Sequence, residues 1–575
     1  MSLTQELAYA TMSPSAAFSD LSHFTKQSKQ SGSHLSNAWA DSRLNPENRI
    51  DSLTPVETPT WRIDGCTSMG RRFFTTPIFL QPLIPLRIDT FIPPASQWPS
   101  DLVEILDIDA AFLCRDSSVA RYGISQHILR TLEFWSRAQP SFRSFYESMP
   151  FGSRIIFENM AADPRQIRIR VARSHDFERQ FLSIASLQMV WKGLSMIAIP
   201  PLLDITCLRF MQQLHDSTSM VKIESSEGNS GTFVLKSPTD SPKHLYHELK
   251  ILLSIPGHEN IMPRPVFLIT KKCGFGGKVG VVGFVTHYEP QGTLRDILPS
   301  RRIDGKLFLI DQIKWAQQIT QSLIHIQTQG PGYYCDLRLD NILLSGTDDA
   351  LLIDLEQRGL MPPFAAPEVN YLQYVEILAN DQSLPQSVVN KYQTLRQRDI
   401  VPHLLTTKNT SRADSVGYSI PWLCLTARER EAAEVYMLGR VFWCIFEGTS
   451  APETTVWLKY KNDPDLTFPK FCRTPMCVRG LIESCIKGWA PSKLQRVMRI
   501  GTQLASALDS GRSGDDRGDP IQLLQTGWIE ELANAERFLE QRRKLRLDGD
   551  VDGFGRPTLK AVLKALDAFT AERMQ

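Results

Sequence analysis

No stretch of this sequence approaches the roughly 18 uninterrupted apolar residues that a membrane-crossing helix needs, so no membrane partner is expected. Neither charge is in excess. The chain has 64 Lys and Arg against 62 Asp and Glu, a formal net charge of +2 over 575 residues, which gives no general pull toward nucleic acid. The opening residues lack the basic-then-apolar form of a secretory signal and carry Gln5 and Glu6 instead. Ten cysteines fall in no disulfide pattern, as in a reducing compartment. These absences point to the cytoplasm, with the nucleus as the alternative. No internal repeat is visible. What remains is a globular composition, 42% hydrophobic and 22% charged, with material for several domains.

Residues 1–58 are rich in Ser, Thr, Asn, Gln and Pro, and a run such as Lys26 to Ser33 has too few apolar groups to offset its ordering entropy; a disordered tail is expected. Residues 59–200 read as a small α+β extension of unknown role. Prolines at 77, 82, 85, 93 and 94 restrict 73–94 to short extended pieces. Apolar spacing predicts helices over 101–115, 124–148 and 178–195, and strict alternation predicts a strand over 166–171. From about 204 the texture changes. Short strands over 208–211, 220–223 and 232–235 precede a helix over 242–255, and two more strands cover 265–270 and 280–287. Beyond 300 the pattern is helical, over 311–328, 370–380, 429–447 and 475–488. Strands first and helices after predict an α+β arrangement in two lobes, divided near 300.

The segment from Tyr334 to Leu344 carries the strongest chemistry. It presents Asp336 and, four intervening residues later, Asn341; an apolar strand, Ala350 to Ile353, then delivers Asp354. Phosphoryl transfer needs a carboxylate to orient or deprotonate the acceptor hydroxyl, and oxygen ligands for Mg²⁺ on nucleotide phosphates. Asp336 suits the first task; Asn341 and Asp354 suit the second. With this spacing and strand context the sequence resembles the protein-kinase superfamily, whose catalytic loop reads H-R-D-x-x-x-x-N before D-F-G.

The resemblance extends over about 204–500. Thr232 to Lys236 is similar to the family's lysine-bearing strand, and implies that Lys236 meets nucleotide phosphates while Glu248, in the next helix, pairs with it. His258-Glu259-Asn260-Ile261 is similar to the H-P-N-I turn, where His258 pins the turn. Glu434 to Gly439 resembles the helical segment that braces the catalytic loop, with Glu434 in place of Asp. Residues 475–489, with Cys485 and Arg496, resemble the closing helices. The resemblance implies a two-lobed protein-kinase-like fold, a small β-rich N-lobe (204–300) and a helical C-lobe (301–500) with an insert over 369–428. The extension 59–200 precedes it and a helical tail, 501–575, follows. It implies ATP and Mg as cofactors and a protein substrate or partner.

Several residues depart from the family pattern. The glycine-rich loop falls at Leu214 to Ser219 and has no glycine, which leaves Ser217 and Ser219 as the nucleotide-contacting residues there. Glycines would let backbone N–H groups approach the phosphates. Gly274 to Gly277 reads as a turn between strands. H-R-D has become Tyr334-Cys335-Asp336, removing the Arg that receives an activation-loop phosphate. Arg338 stands where a lysine is usual and keeps a charge beside the transferred group. D-F-G has become Asp354-Leu355-Glu356, and Ala366-Pro367-Glu368 follows after a short segment. The expected activity is therefore ATP-dependent phosphoryl transfer to protein Ser/Thr. A pseudokinase acting as a binding scaffold is the alternative, supported by the missing glycines. A small-molecule phosphotransferase of the aminoglycoside- or choline-kinase kind is the second, supported by Ile353-Asp354-Leu355-Glu356.

Three weaker constellations read as structural. Cys472, Cys477 and Cys485 lack the companions of a zinc site and read as core thiols. Asp548 to Gly553 opens like a calcium loop but lacks its closing Glu, and reads as a polar turn between helices over 521–544 and 558–573. Arg542, Arg543, Lys544 and Arg546 read as a solvated basic run.

Overall fold

A computed structural model of the chain describes residues 5–22, 58–67, 70–106, 122–191, 199–223, 231–274, 276–359, 361–402, 419–452, 463–464, 466–490, 494, 497–500, 503–506, 519–547 and 554–574. The fold is mixed α+β, with four separate sheets among the described residues. The chain divides into two compact units: a strand-rich one of 36–254 and 263–288, and a helix-rich one of 1–35, 255–262 and 289–575. No described helix is long and apolar enough to cross a membrane.

The strand-rich unit holds two sheets. The first runs β1 (Trp61–Thr67), β2 (Arg72–Pro77), β3 (Asp89–Phe91), β4 (Arg154–Phe157) and β5 (Ile169–Ala172) in that order, antiparallel except between β3 and β4. Proline governs the local breaks. β2 ends on Pro77, where a short 3-10 turn Ile78–Leu80 begins. Where one helix is expected over 124–148 there are two, Tyr122–Arg137 and Phe142–Glu147, with Pro140 in the break. The helix expected over 101–115 runs Ser100–Leu106, and its continuation lies outside the described residues. Trp61, Phe142 and Tyr146 meet edge-on or tilted in the core of this part, with Trp61 and Phe142 centroids 6.0 Å apart.

The second sheet has the order β6-β10-β11-β9-β8-β7, with β6 Leu202–Asp204, β7 Leu208–Gln213, β8 Thr218–Ile223, β9 Gly231–Lys236, β10 Phe267–Lys272 and β11 Val279–His287. β11 is buried from Gly280 to Thr286, which explains its unbroken apolar reading. On β9, Phe233 and Leu235 face inward. A helix, Pro242–Ser254, follows β9 as expected. The Tyr246 hydroxyl on this helix donates to Val281 O of β11 (2.8 Å) and accepts the Leu182 amide (2.9 Å). The extension 59–200 and the strands of 204–288 therefore share one compact body, and the division falls at 254, 263 and 288 in place of 300.

The helix-rich unit is built around two long helices. In Leu309–Gln329, Trp315, Ala316, Ile319, Leu323 and Ile326 make the buried stripe of a 3.6-residue period. Ala427–Glu447 is capped by Thr426 and Glu429 in a reciprocal capping box and closed by Gly448 at φ 73°; it is buried without interruption from Ala432 to Glu447. The expected insert, 369–428, begins inside the first of two paired helices, Pro367–Asn380 and Gln386–Asp399. Helices Met476–Cys485, Pro520–Leu547 and Leu559–Met574 follow, with a small hairpin of β14 (Val497–Ile500) and β15 (Gln503–Ser506) between the first two. The expected polar turn at 548–553 and Arg496 lie outside the described residues.

Three expectations are corrected here. Residues 5–22, placed by composition in a disordered tail, form a helix, Gln5–Thr11, and a 3-10 turn, Pro14–Ala17, with Leu7, Ala8, Ala16 and Leu21 buried. Trp528 Nε1 donates to Thr11 O (2.8 Å) and Ser15 Oγ to Asp381. The remainder of that tail, 23–57, lies outside the described residues. Arg542 is not solvated: its guanidinium grips Glu429 through both carboxylate oxygens (2.8 and 3.0 Å), and both side chains are buried. Of the three cysteines read as core thiols, Cys485 is buried while Cys472 and Cys477 are exposed.

Candidate active site

The helix Leu309–Gln329 ends at Gly330, and the chain turns inward so that Tyr333, Tyr334 and Cys335 are buried. Three contacts fix this turn. The Tyr334 amide donates to Glu434 Oε1 at 2.6 Å, which is the brace expected from the helix beneath. The Tyr334 hydroxyl donates to Ile353 O at 2.6 Å, and the Cys335 thiol to Arg358 O at 3.5 Å. Glu434 is wholly enclosed, and burial drives its carboxyl well above the usual range despite the bond from Tyr334. Burial therefore favours its neutral form.

Asp336 follows, buried, with its carboxyl held from two sides. Asn341 Nδ2 donates to Asp336 O (2.8 Å) and Oδ2 (3.2 Å). Arg338 Nε stands 3.3 Å from the same oxygen as an ion pair that lacks hydrogen-bond alignment. Burial raises the Asp336 carboxyl to about 6; Arg338 and Asn341 oppose this, and the Asp354 and Asp340 carboxylates add to it. An acid poised there matches the requirement for a general base near neutral pH.

A 3-10 turn, Leu339–Asn341, leads into β12 (Ile342–Leu344), which pairs antiparallel with β13 (Ala350–Leu352). That register sets Asn341 opposite Ile353, whose amide donates to Asn341 O at 3.0 Å, so Asp354 leaves the hairpin beside Asn341. The Asn341 amide nitrogen is committed to Asp336, which leaves its carbonyl oxygen and the Asp354 carboxylate as the donors for a hard cation. The chain beyond is contorted: Asp354, Gln357 and Gly359 have φ of 65°, 56° and 99°. It returns over the loop, where a Cβ on Gly359 would lie 2.8 Å from Asp336 Oδ2. Backbone held in this region is costly and collects where a site is over-determined.

His258 pins its turn: its Nδ1 accepts the Asn260 amide at 3.1 Å, and Asn260 Nδ2 donates to Ala350 O at 3.0 Å beneath the hairpin.

Lys236 and Glu248 belong to the strand-rich unit. Lys236 Nζ lies 2.7 Å from Glu248 Oε2, and both side chains are largely buried. Gly283 allows this end of β9 to close on β11, since a Cβ there would stand 2.5 Å from Lys236 O. Six of the eight residues singled out for catalysis, nucleotide and metal thus form two groups: Lys236 with Glu248 in one unit, and Asp336, Arg338, Asn341 and Asp354 in the other.

Ser217 and Ser219 are placed differently from expectation. They flank the start of β8, in a closed turn where the Leu214 and His215 amides both donate to Thr218 O. Ser219 is buried, and its hydroxyl is spent on Gln213 Oε1 at 2.7 Å. Ser217 contributes its carbonyl, to the Ser237 amide at 2.9 Å. The tip residue is Asp216, which Arg87 and Arg72 hold.

Sequence reading also missed Arg556. It donates to Glu368 Oε1 (2.5 Å) and Oε2 (3.2 Å), to Ala432 O and to Lys487 O, entirely inside the helix-rich unit. Glu368 opens the helix Pro367–Asn380, so the C-terminal segment anchors the end of the strand-to-helix passage that begins at Asp354.

No family model matches the chain, and no curated protein matches it.

Proposed function

We propose that the protein transfers a phosphoryl group from ATP to the hydroxyl of a protein Ser or Thr. The observation that carries this reading is Asp336: a buried carboxyl raised to about 6, aimed by Asn341 and Arg338, in the loop that also carries the oxygen donor Asn341, with Asp354 following the hairpin that this loop leads into. In this reading Asp336 orients the acceptor hydroxyl and takes its proton. Asn341 and Asp354 would hold Mg²⁺, which would neutralise charge on the nucleotide phosphates. Arg338 keeps a positive charge beside the transferred group, and Lys236, steadied by Glu248, meets the phosphates. Further support comes from the sheet order: the lysine-bearing β9 follows the β7–β8 hairpin and is flanked by β8 and β11. A two-lobed protein-kinase-like fold is the arrangement this reading requires, and the protein substrate class rests on the sequence resemblance.

A second reading, a scaffold that has given up catalysis, is favoured by the turn between β7 and β8. It offers an acid, a buried serine and no glycine where nucleotide phosphates would be met. Titration of the full chain with Mg-ATP, paired with phosphoryl transfer to a protein mixture and to a panel of hydroxylated small molecules, separates the readings. Protein phosphorylation that is lost in Asp336→Asn supports the first. Tight binding without transfer, or no binding, supports the second, and transfer only to a small molecule would point to a metabolite kinase.

A further inference from the structure

The turn between β7 and β8 is fastened to the extension 59–200 more heavily than a hairpin tip requires. Arg87 Nη2 lies 2.6 Å from Asp216 Oδ1, and its Nη1 also donates to Asp216 O. Arg72 reaches the same Asp216 Oδ1 at 3.3 Å and pairs with Asp89 at 2.5 Å. Arg87 is itself 3.9 Å from Asp89, its side chain is nearly enclosed, and its backbone sits at φ 54°. Two arginines and two aspartates thus form a balanced, largely buried cluster. Alongside it Asp64 Oδ2 accepts the Gln213 amide (2.9 Å), Arg62 donates to Met211 O (2.6 Å) and the Phe210 amide donates to Leu83 O (2.8 Å). The open edge of β7 is covered from Phe210 to Gln213 by these contacts.

We infer that Arg87 and Arg72 are positioning residues for nucleotide binding, and that the extension exists in part to supply them. The inference rests on the phosphoryl-transfer reading. A flexible glycine loop adapts its backbone to the phosphates. Here the turn has no glycine and ends in an acid, which would repel phosphate at short range. The arginine pair neutralises that acid and fixes the turn, replacing adaptability with a rigid, charge-compensated strut.

Hydrogen exchange and Mg-ATP titration of the full chain, in Arg87→Ala, Asp216→Asn and the double variant, test this. The amides of Leu214, His215 and Thr218 are hydrogen-bonded in the closed turn, and both single variants should speed their exchange about tenfold or more. The affinities should separate. Arg87→Ala, which bares Asp216, should weaken Mg-ATP binding about tenfold, Asp216→Asn should leave it unchanged or tighter, and the double variant should return to within about threefold of the parent. Unchanged exchange in Asp216→Asn, which keeps both arginines and is the milder change, overturns the clamp. Equal weakening in both single variants overturns the charge argument and leaves a structural tie. A parent that binds no Mg-ATP overturns the phosphoryl-transfer reading and, with it, the positioning role, while the exchange experiment still decides the clamp.

Discussion

At the scale of single residues, Asp336 sets a pH dependence whose sign follows from burial. Its carboxyl moves from 3.8 to about 6 on folding, so between those values the folded chain binds more protons than the unfolded one. Stability therefore falls as pH rises through that window and stays lower above it. At about 1.4 kcal/mol per pH unit the ionised carboxylate costs on the order of 3 kcal/mol, with the opposing bonds to Asn341 and Arg338 already included in that net shift. Asp336→Asn should therefore be more stable than the parent at pH 8, by about 1–3 kcal/mol, with the gap closing below pH 4. Urea unfolding at the two pH values checks this, and a variant less stable than the parent at pH 8 would show that the ion pair outweighs burial. The same substitution should lower turnover by about 10² to 10⁴ while sparing nucleotide binding, and parental turnover should rise through pH 6. Gly359 supplies an independent test. Alanine there meets a strained φ and an Asp336 oxygen 2.8 Å away, so Gly359→Ala should slow turnover at least about tenfold with Mg-ATP affinity retained. Full activity in that variant would remove Asp336 from the reaction. These two residues also differ in how far they could be read in advance. Asp336 and Asn341 lie five residues apart with a strand after them, a local pattern. Gly359 matters only because the chain doubles back, which no spacing announces.

At the scale of elements, the helix Ala427–Glu447 carries a charge problem that its sequence conceals. An acid in the middle of a helix buried all round, Glu434 accepts one bond from Tyr334, and its second oxygen is unpartnered, which fits a protonated carboxyl. The folded value is raised, so this group too makes the fold less stable as pH climbs above the ordinary carboxyl value of 4.5. Glutamine imitates the neutral acid. Glu434→Gln should lie within about 1 kcal/mol of the parent at pH 6 and lose less stability than the parent between pH 6 and 9. Glu434→Ala strands the Tyr334 amide and should cost about 1–3 kcal/mol and slow turnover through the loop it supports. Thermal unfolding across that pH range distinguishes the two, and a glutamine variant that falls with pH as steeply as the parent would mean that another group titrates. The element itself was legible: its apolar period, the capping Thr426 and Glu429, and the terminal Gly448 are all local. The pieces at 5–22 were not, because a composition average over 1–58 hides the few residues, Leu7, Ala8, Ala16 and Leu21, that find an apolar surface far away in sequence. Arg542 was misread for the same reason. A basic run looks solvated until the partner of one member, Glu429 here, is known.

For the helix-rich unit as a whole, the last residues hold the interior together. Arg556 joins three segments, through Glu368, through Ala432 O and through Lys487 O, and the helix behind it, Leu559–Met574, buries Leu559, Val562 and Leu566. A buried pair of this kind need not add net stability against an apolar substitute of the same volume, but removing one partner leaves the other charge enclosed and unpaired. Arg556→Met should therefore destabilise by about 3–5 kcal/mol, whereas Arg556→Met with Glu368→Leu should recover most of that loss. Turnover need not follow stability. Glu368 lies in the first turn of the helix that receives the chain from Asp354, so the double variant should stay folded and still transfer phosphate more slowly, its anchor exchanged for one without direction. Denaturant midpoints give the first comparison and single-turnover rates the second. If the double variant is as unstable as the single one, the carbonyls of Ala432 and Lys487, orphaned by the loss of the guanidinium, are what Arg556 serves. If it is as active as the parent, the C-terminal segment is a structural strap with no bearing on the site.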